Sequence, residues 1–180
     1  MLRLLTLLCL FSLTACRSTS ERLDVMVDET RRELSGGGAL AGLDDSFVGQ
    51  HQDRIEKVRE FHTAGELVSA DDYYNASWIL VTSQKPEDLE LAHELALRAA
   101  EMGLDKGFRI AATATDKLNR HAGKPQRYGT QFEYIEFLRR WRIYPVDPTT
   151  TDAERQAMGI PPLRELYERE KELNAVPLPD

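Results

Sequence analysis

His93, Asp116, Gln126, Tyr128, Gln131 and Arg155 are the residues of this chain whose types suit chemistry: a base, a carboxylate, two amides, a phenol and a guanidinium. A histidine and an acid on neighbouring helices make an oriented pair of the kind that activates a hydroxyl or a water. The other four would hold a polar substrate beside them. The same residues also suit an architectural role. His93 can bond a backbone carbonyl of the loop, Gln126 and Gln131 can satisfy loop amides, Gly129 can supply a positive φ, and Asp116 can pair with Arg120 four residues on. This polar lock ranks above catalysis, because polar groups at a packed loop must be paired in any case. The chain shows no G-x-S-x-G, no H-E-x-x-H and no phosphate loop. Its four histidines lack ligand spacing, so neither a metal nor another cofactor is expected.

The segment that says where such a site would work lies at the start. Arg3, the apolar run Leu4 to Leu13 and then Leu13-Thr14-Ala15-Cys16 have the order of a secretory signal, and the run is too short to span a bilayer as a mature helix. A cysteine directly after Leu-Thr-Ala resembles the lipobox of bacterial lipoproteins, in which cleavage precedes the cysteine and lipid is attached to it. That resemblance implies a signal peptide over 1–15, a lipid-anchored Cys16 and a place in the cell envelope. Where two membranes exist, Arg17 rather than an acid after the cysteine resembles the pattern of outer-membrane lipoproteins facing the periplasm. The chain has 2 cysteines, Cys9 and Cys16, so the mature chain keeps no thiol for a disulfide. Lys+Arg number 23 against 30 Asp+Glu, and losing Arg3 with the signal leaves 22 against 30, a net charge of −8. Nucleic acid is thereby excluded as the main partner, since its sites need clustered cations.

The elements that must position the six residues follow from start and stop signals. Ser20 caps a helix to Leu34, and residues 35–43, with glycines at 36–38 and 42, read as a hinge, so residues 16–43 form a tether; the alternative is a single helix packed on the domain. Asp45 caps the next helix, with Val48, His51, Ile55, Val58 and His62 on one stripe and both histidines at its edge. Ser69-Ala70-Asp71-Asp72 is a capping box that opens a helix through Tyr73, Tyr74, Trp78, Ile79 and Leu80. Pro86, Glu87 and Asp88 begin another, whose Leu89, Ala92, Leu95, Ala96, Ala99 and Ala100 form an alanine-rich face before Gly103 stops it. Asp105 caps a partner helix through Phe108, Ala111, Ala112, Thr115 and Leu118, ending near Gly123.

Those two helices make an antiparallel hairpin that resembles tetratricopeptide-type or Sel1-type repeats, although no second copy follows at a fixed period. Residues 124–131 then form a polar loop. Phe132, Tyr134, Trp141 and Ile143 can pair as a β-hairpin, although the lack of glycine in its turn leaves a helix there as the alternative. The basic run Arg139-Arg140-Trp141-Arg142 reads as a solvated face of that hairpin. Thr151-Asp152-Ala153-Glu154 is a second capping box, and Pro161-Pro162 introduces a last helix through Leu163, Leu166, Tyr167 and Leu173. The predicted fold is mostly α: a small helical-hairpin domain with a short C-terminal β-hairpin over 44–174, then a tail over 175–180.

The ordered elements Ala92-His93-Glu94-Leu95-Ala96, Asp116 with Leu118, Pro125-Gln126-Arg127-Tyr128-Gly129-Thr130-Gln131, and Thr151-Asp152-Ala153-Glu154-Arg155 with Gly159-Ile160-Pro161 are similar to an uncharacterised bacterial family. Its members share A-H-x-L-A, D-x-x-L, G-x-P-Q-x-Y-G-T-Q and D-x-x-R-x-x-x-G-x-P-x-L. The likeness covers roughly residues 70–174. Some members carry Gln-His where this chain has Val81-Thr82-Ser83, so no role passes through that histidine. The resemblance implies a fold and candidate positions, and no activity. Two functions follow as expectations. The first is an envelope lipoprotein that binds or scaffolds an envelope protein or small ligand through Gln126, Tyr128, Gln131 and Arg155. The second is a hydrolase-like enzyme using the His93/Asp116 pair.

Overall fold

A computed structural model describes residues 18–35 and 45–175. Cys16, Arg17 and the glycines at 36–38 and 42 lie outside the described residues, as do the signal and the hinge read from them. Among the described residues, seven α-helices and a two-stranded antiparallel sheet follow in chain order: α1 Thr19–Ser35, α2 Asp45–Thr63, α3 Ala70–Leu80, α4 Pro86–Glu101, α5 Lys106–His121, β1 Phe132–Ile135, β2 Arg140–Ile143, α6 Asp152–Ala157 and α7 Leu163–Ala175. The fold is mostly α with a short β-hairpin near the C-terminus, as the pattern of apolar residues and breakers predicts.

Capping chemistry starts the elements largely where the sequence marks them. Ser69 accepts from the Asp72 N–H while the Asp72 carboxylate accepts from the Ser69 N–H, and Thr151 and Glu154 do the same at α6. Pro86 opens α4. Asp105 precedes α5 in a helical conformation with no side-chain cap, contrary to its predicted role.

α4 packs between α3 and α5. Its Leu89, Ala92, Leu95, Ala96 and Ala99 are fully or almost fully buried, while Arg98 on the opposite side is exposed. Gly107, in the first turn of α5, makes that approach possible: a Cβ there would stand 2.3 Å from the Ala96 carbonyl oxygen. Among the described side chains of α2, Ile55, Val58 and Phe61 are the buried apolar ones, Arg54 is buried beside them, and His51 and His62 are half-buried at the stripe's edge.

The helical part of the predicted tether belongs to the domain. Leu23, Met26 and Val27 of α1 are buried in the same cluster as Ile79, Leu80 and Leu95, and α1 lies against α3. Detaching it would expose that apolar face to water, which costs about 25 cal/mol per Å².

A smaller cluster joins Ala112, Tyr128, Ile143, Ile160 and Leu166 on another face of α5. The hairpin pairs Phe132 with Ile143 and Tyr134 with Trp141. Its turn is one 3-10 segment, Glu136–Leu138, closed by Arg139 at φ 46°, so a non-glycine residue takes the left-handed conformation and the helical alternative is not formed. Arg140 and Arg142 pair with Glu170 and Glu133, consistent with a solvated, ion-paired face.

Candidate functional site

Asp116 is fully buried on α5 and faces the loop that follows the helix. One carboxylate oxygen accepts the backbone N–H groups of Arg127 and Tyr128, at 2.7 and 2.8 Å. The other accepts the N–H groups of Gly129 and Thr130 and the Thr130 hydroxyl, each at 2.9 Å. Four consecutive amides can converge on one carboxylate only if the chain curls around it. Gly129 supports that curl at φ 95°, where a Cβ would also stand 2.5 Å from Leu166 Cδ1. With five donors in place, the carboxylate's acceptor sites are filled. The predicted ion pair of Asp116 with Arg120 is not formed; Arg120 instead approaches Glu133 at 3.9 Å.

Gln126 fixes the far side of the loop. Its Nε2 donates to the carbonyls of Gln131 at 3.0 Å and Tyr144 at 2.7 Å, and its Oε1 accepts the Gln131 N–H at 2.7 Å. Its backbone adds a bridge to the Pro145–Asp147 segment. Arg155, 2% exposed, donates to the carbonyls of Tyr128 at 3.2 Å and Thr150 at 2.9 Å and to Asp152. Tyr128 itself belongs to the smaller apolar cluster. Of the four predicted binding residues, Gln126, Tyr128 and Arg155 therefore build the loop from within, as the polar-lock reading requires of Gln126.

His93 does not join them. It lines a cavity of about 470 Å³ together with His62, Tyr73 and Glu94, and burial pushes its ring below the usual histidine range. It makes no hydrogen bond to the loop and none to Asp116, and Asp116 does not line its cavity. The candidate catalytic pair is therefore not assembled, and neither is the predicted contact of His93 with a loop carbonyl. Among the described residues no group of three or more His, Cys, Asp or Glu side chains is arranged to hold a metal ion.

Gln131 is the candidate that opens outward. Its Nε2 donates to the Thr130 hydroxyl at 2.8 Å, and the side chain lines a cavity of about 550 Å³ with Gln84, Lys117, Arg120 and His121. Lys117 comes from the flank of α5, three residues after the fully buried Ala114, and donates to the Val81 carbonyl at 2.7 Å and the Ser83 carbonyl at 3.4 Å. Burial and the neighbouring Arg120 charge pull its ammonium down from 10.5 to about 8. Sequence reasoning missed Lys117, Arg120, His121 and Gln84. A lysine beside the apolar stripe of α5, followed by two basic residues in its last turn, was the available signal. A second cavity of about 500 Å³ lies on the Gly129–Thr130 flank, lined by Arg109, Phe132, Ile160, Leu166 and Arg169 among others.

The chain matches no family model, no curated protein and no solved structure.

Proposed function

We propose that the protein is a lipid-anchored binding module of a bacterial envelope, held at the membrane through Cys16 and presenting a rigid loop platform to a small polar ligand. The observation that carries the reading is the division of labour in residues 126–131. Asp116 and Gln126 turn their polar groups toward the loop and its neighbouring strand, and Arg155 gives the loop one bond, at the Tyr128 carbonyl, whereas Gln131 lines a cavity with Lys117, Arg120 and His121. Such a loop is preorganised for recognition and holds no free base or nucleophile beside its carboxylate.

The address rests on the lipobox-like Leu13-Thr14-Ala15-Cys16 and on Arg17, which favours the outer membrane where two membranes exist. No helix among the described residues is long and apolar enough to cross a membrane, so attachment through Cys16 would have to hold the chain. Cys16→Ser is expected to leave the chain uncut or to release it from the membrane fraction in high salt; unchanged fractionation would remove the lipoprotein reading.

Ligand binding is tested on the full chain in detergent by hydrogen exchange, with and without a small-molecule extract of the envelope. Protection across residues 117–121 and 126–131 is the expected result. An extract that protects neither segment would overturn the binding reading.

A further inference from the structure

We infer that the cavity between the α3–α4 turn, the end of α5 and Gln131 is an oxyanion site, which takes a carboxylate or phosphate group of a small polar molecule. The inference rests on the binding reading above and names the ligand class for the same flank of the loop.

Charge is the first argument. In a chain of net charge −7, this cavity is lined by Lys117, Arg120, His121 and two amides, with no acid among its lining residues. Lys117 has no carboxylate partner among the described residues. Arg120 has a single one, Glu133 at 3.9 Å, whose Oε1 is also held by Arg142 at 3.2 Å.

Cations in the last turn of a helix complement its macrodipole, and that alone would account for Arg120 and His121. It does not account for the other three groups. Lys117 is drawn inward from an earlier turn, and Gln84 and Gln131 arrive from different segments.

The acceptors that hold Lys117 are themselves fixed. The Ser83 hydroxyl donates to the fully buried Asp88 at 2.6 Å and accepts the Lys85 N–H at 3.1 Å, which pins the α3–α4 turn. Val81 and Ser83 thus aim their carbonyls at Lys117 from a rigid frame. The ammonium is positioned before any ligand arrives, and it is incompletely compensated: two neutral carbonyls and no counterion in a partly desolvated place. An oxyanion would supply the missing charge. Gln131 Nε2 spends one of its two N–H donors on Thr130, so the second N–H is left for the oxyanion and the amide oxygen for a hydroxyl or N–H of the same ligand.

An anion beside Lys117 would raise its pKa from about 8, so above that pH binding takes up a proton and weakens as pH rises. The groups facing Lys117 are His51 of α2, Arg120 and His121 of α5 and, through Arg120, Glu133 of β1. Burial and the Arg54 charge push the His51 ring below the usual histidine range.

Calorimetric titration of the full chain with inorganic phosphate and, separately, with citrate at fixed ionic strength tests the site, with potassium chloride as the control. At least one oxyanion is expected to bind, and which of the two does so identifies phosphate or carboxylate chemistry. Lys117→Gln and the more exposed Arg120→Gln are each expected to weaken binding about tenfold, the loss of one charge-assisted hydrogen bond. If Lys117→Gln fails to fold because Val81 loses its donor, Arg120→Gln and the loss of affinity above about pH 8 carry the test. Binding of neither oxyanion, or equal binding by parent and Arg120→Gln, overturns the inference. Should the envelope extract protect the loop while neither oxyanion binds, the ligand class falls and the binding module stands; should neither act, both fall.

Discussion

Two faces of α5 are held by different physics. On one, Ile110, Ala111 and Ala114 pack into the large cluster shared by α1 to α5, and Gly107 lets α5 approach α4 closely. On the other, Ala112 joins a cluster of only five buried apolar side chains, over which the 126–131 loop is held by Asp116, Gln126 and Arg155. Apolar packing is graded, so losing one methyl costs a fraction of the whole and neighbours relax into the space. A saturated polar centre is not graded, because removing one acceptor strands every donor aimed at it. The loop should therefore be the more brittle region, and its brittleness is what keeps the Gln131 flank in one shape.

Asp116→Ala breaks the comparison most severely. It leaves four backbone N–H groups and a hydroxyl without their acceptor and should lower stability by about 3–5 kcal/mol, read from thermal or denaturant melts. A loss below about 1 kcal/mol would mean that the loop finds other acceptors and is not a lock.

The helical seam should respond to bulk instead. Ala96→Leu and Gly107→Ala are each expected to cost about 1–3 kcal/mol through overpacking, while Arg98→Ala on the exposed side stays within about 0.5 kcal/mol. Equal melting of all three would refute the assigned face.

Within the loop, Gln126→Ala should cost about 1–3 kcal/mol, because it unpairs the Gln131 N–H and the Tyr144 carbonyl and takes one of two donors from the Gln131 carbonyl, which keeps the Tyr144 N–H. Gln131→Ala and His93→Ala should each cost less than about 1 kcal/mol. The Gln131 side chain bonds only the Thr130 hydroxyl, and His93 bonds nothing in the loop. The architectural reading of the sequence had assigned both residues to the lock, and melts of the three variants side by side decide whether, of these three, Gln126 is the one that belongs to it.

The smallest effect is a pH dependence at α6. The Thr151 N–H and hydroxyl, with Arg127, hold the Glu154 carboxyl down from 4.5 to about 2. A folded-state value below the unfolded one adds stability that is full above about pH 4.5 and fades as pH falls toward about 2. The melting difference between parent and Glu154→Gln should follow that window, and a difference independent of pH would show that the carboxylate's charge is not involved.

Much of the secondary structure was legible in the sequence because its signals are local. A proline at the first turn of α4 and reciprocal Ser/Asp and Thr/Glu bonds at α3 and α6 act within three or four residues, so the spacing alone reveals them. The alanine face of α4 was equally legible from its 3.6-residue period. Legibility failed where a residue's partner is distant in sequence. Nothing local says that α1 packs on α3 rather than standing apart, since an amphipathic helix beside glycines serves either arrangement. The hairpin turn was ambiguous for a related reason: only its context makes Arg139 accept φ 46°.

The candidate site divides in the same way. Sequence by itself determined which residues carry polar groups that must be satisfied, and it placed Gln126, Tyr128, Gly129 and Gln131 in one loop. Only the tertiary structure decided where those groups turn. Asp116 folds a loop 11 to 14 residues away around its carboxylate instead of pairing with Arg120, His93 lines another cavity, and Lys117 meets Gln84 and Gln131 across three segments. A side chain's chemistry is a property of the residue, whereas its partner is settled by which backbone groups the packed helices leave unpaired within reach.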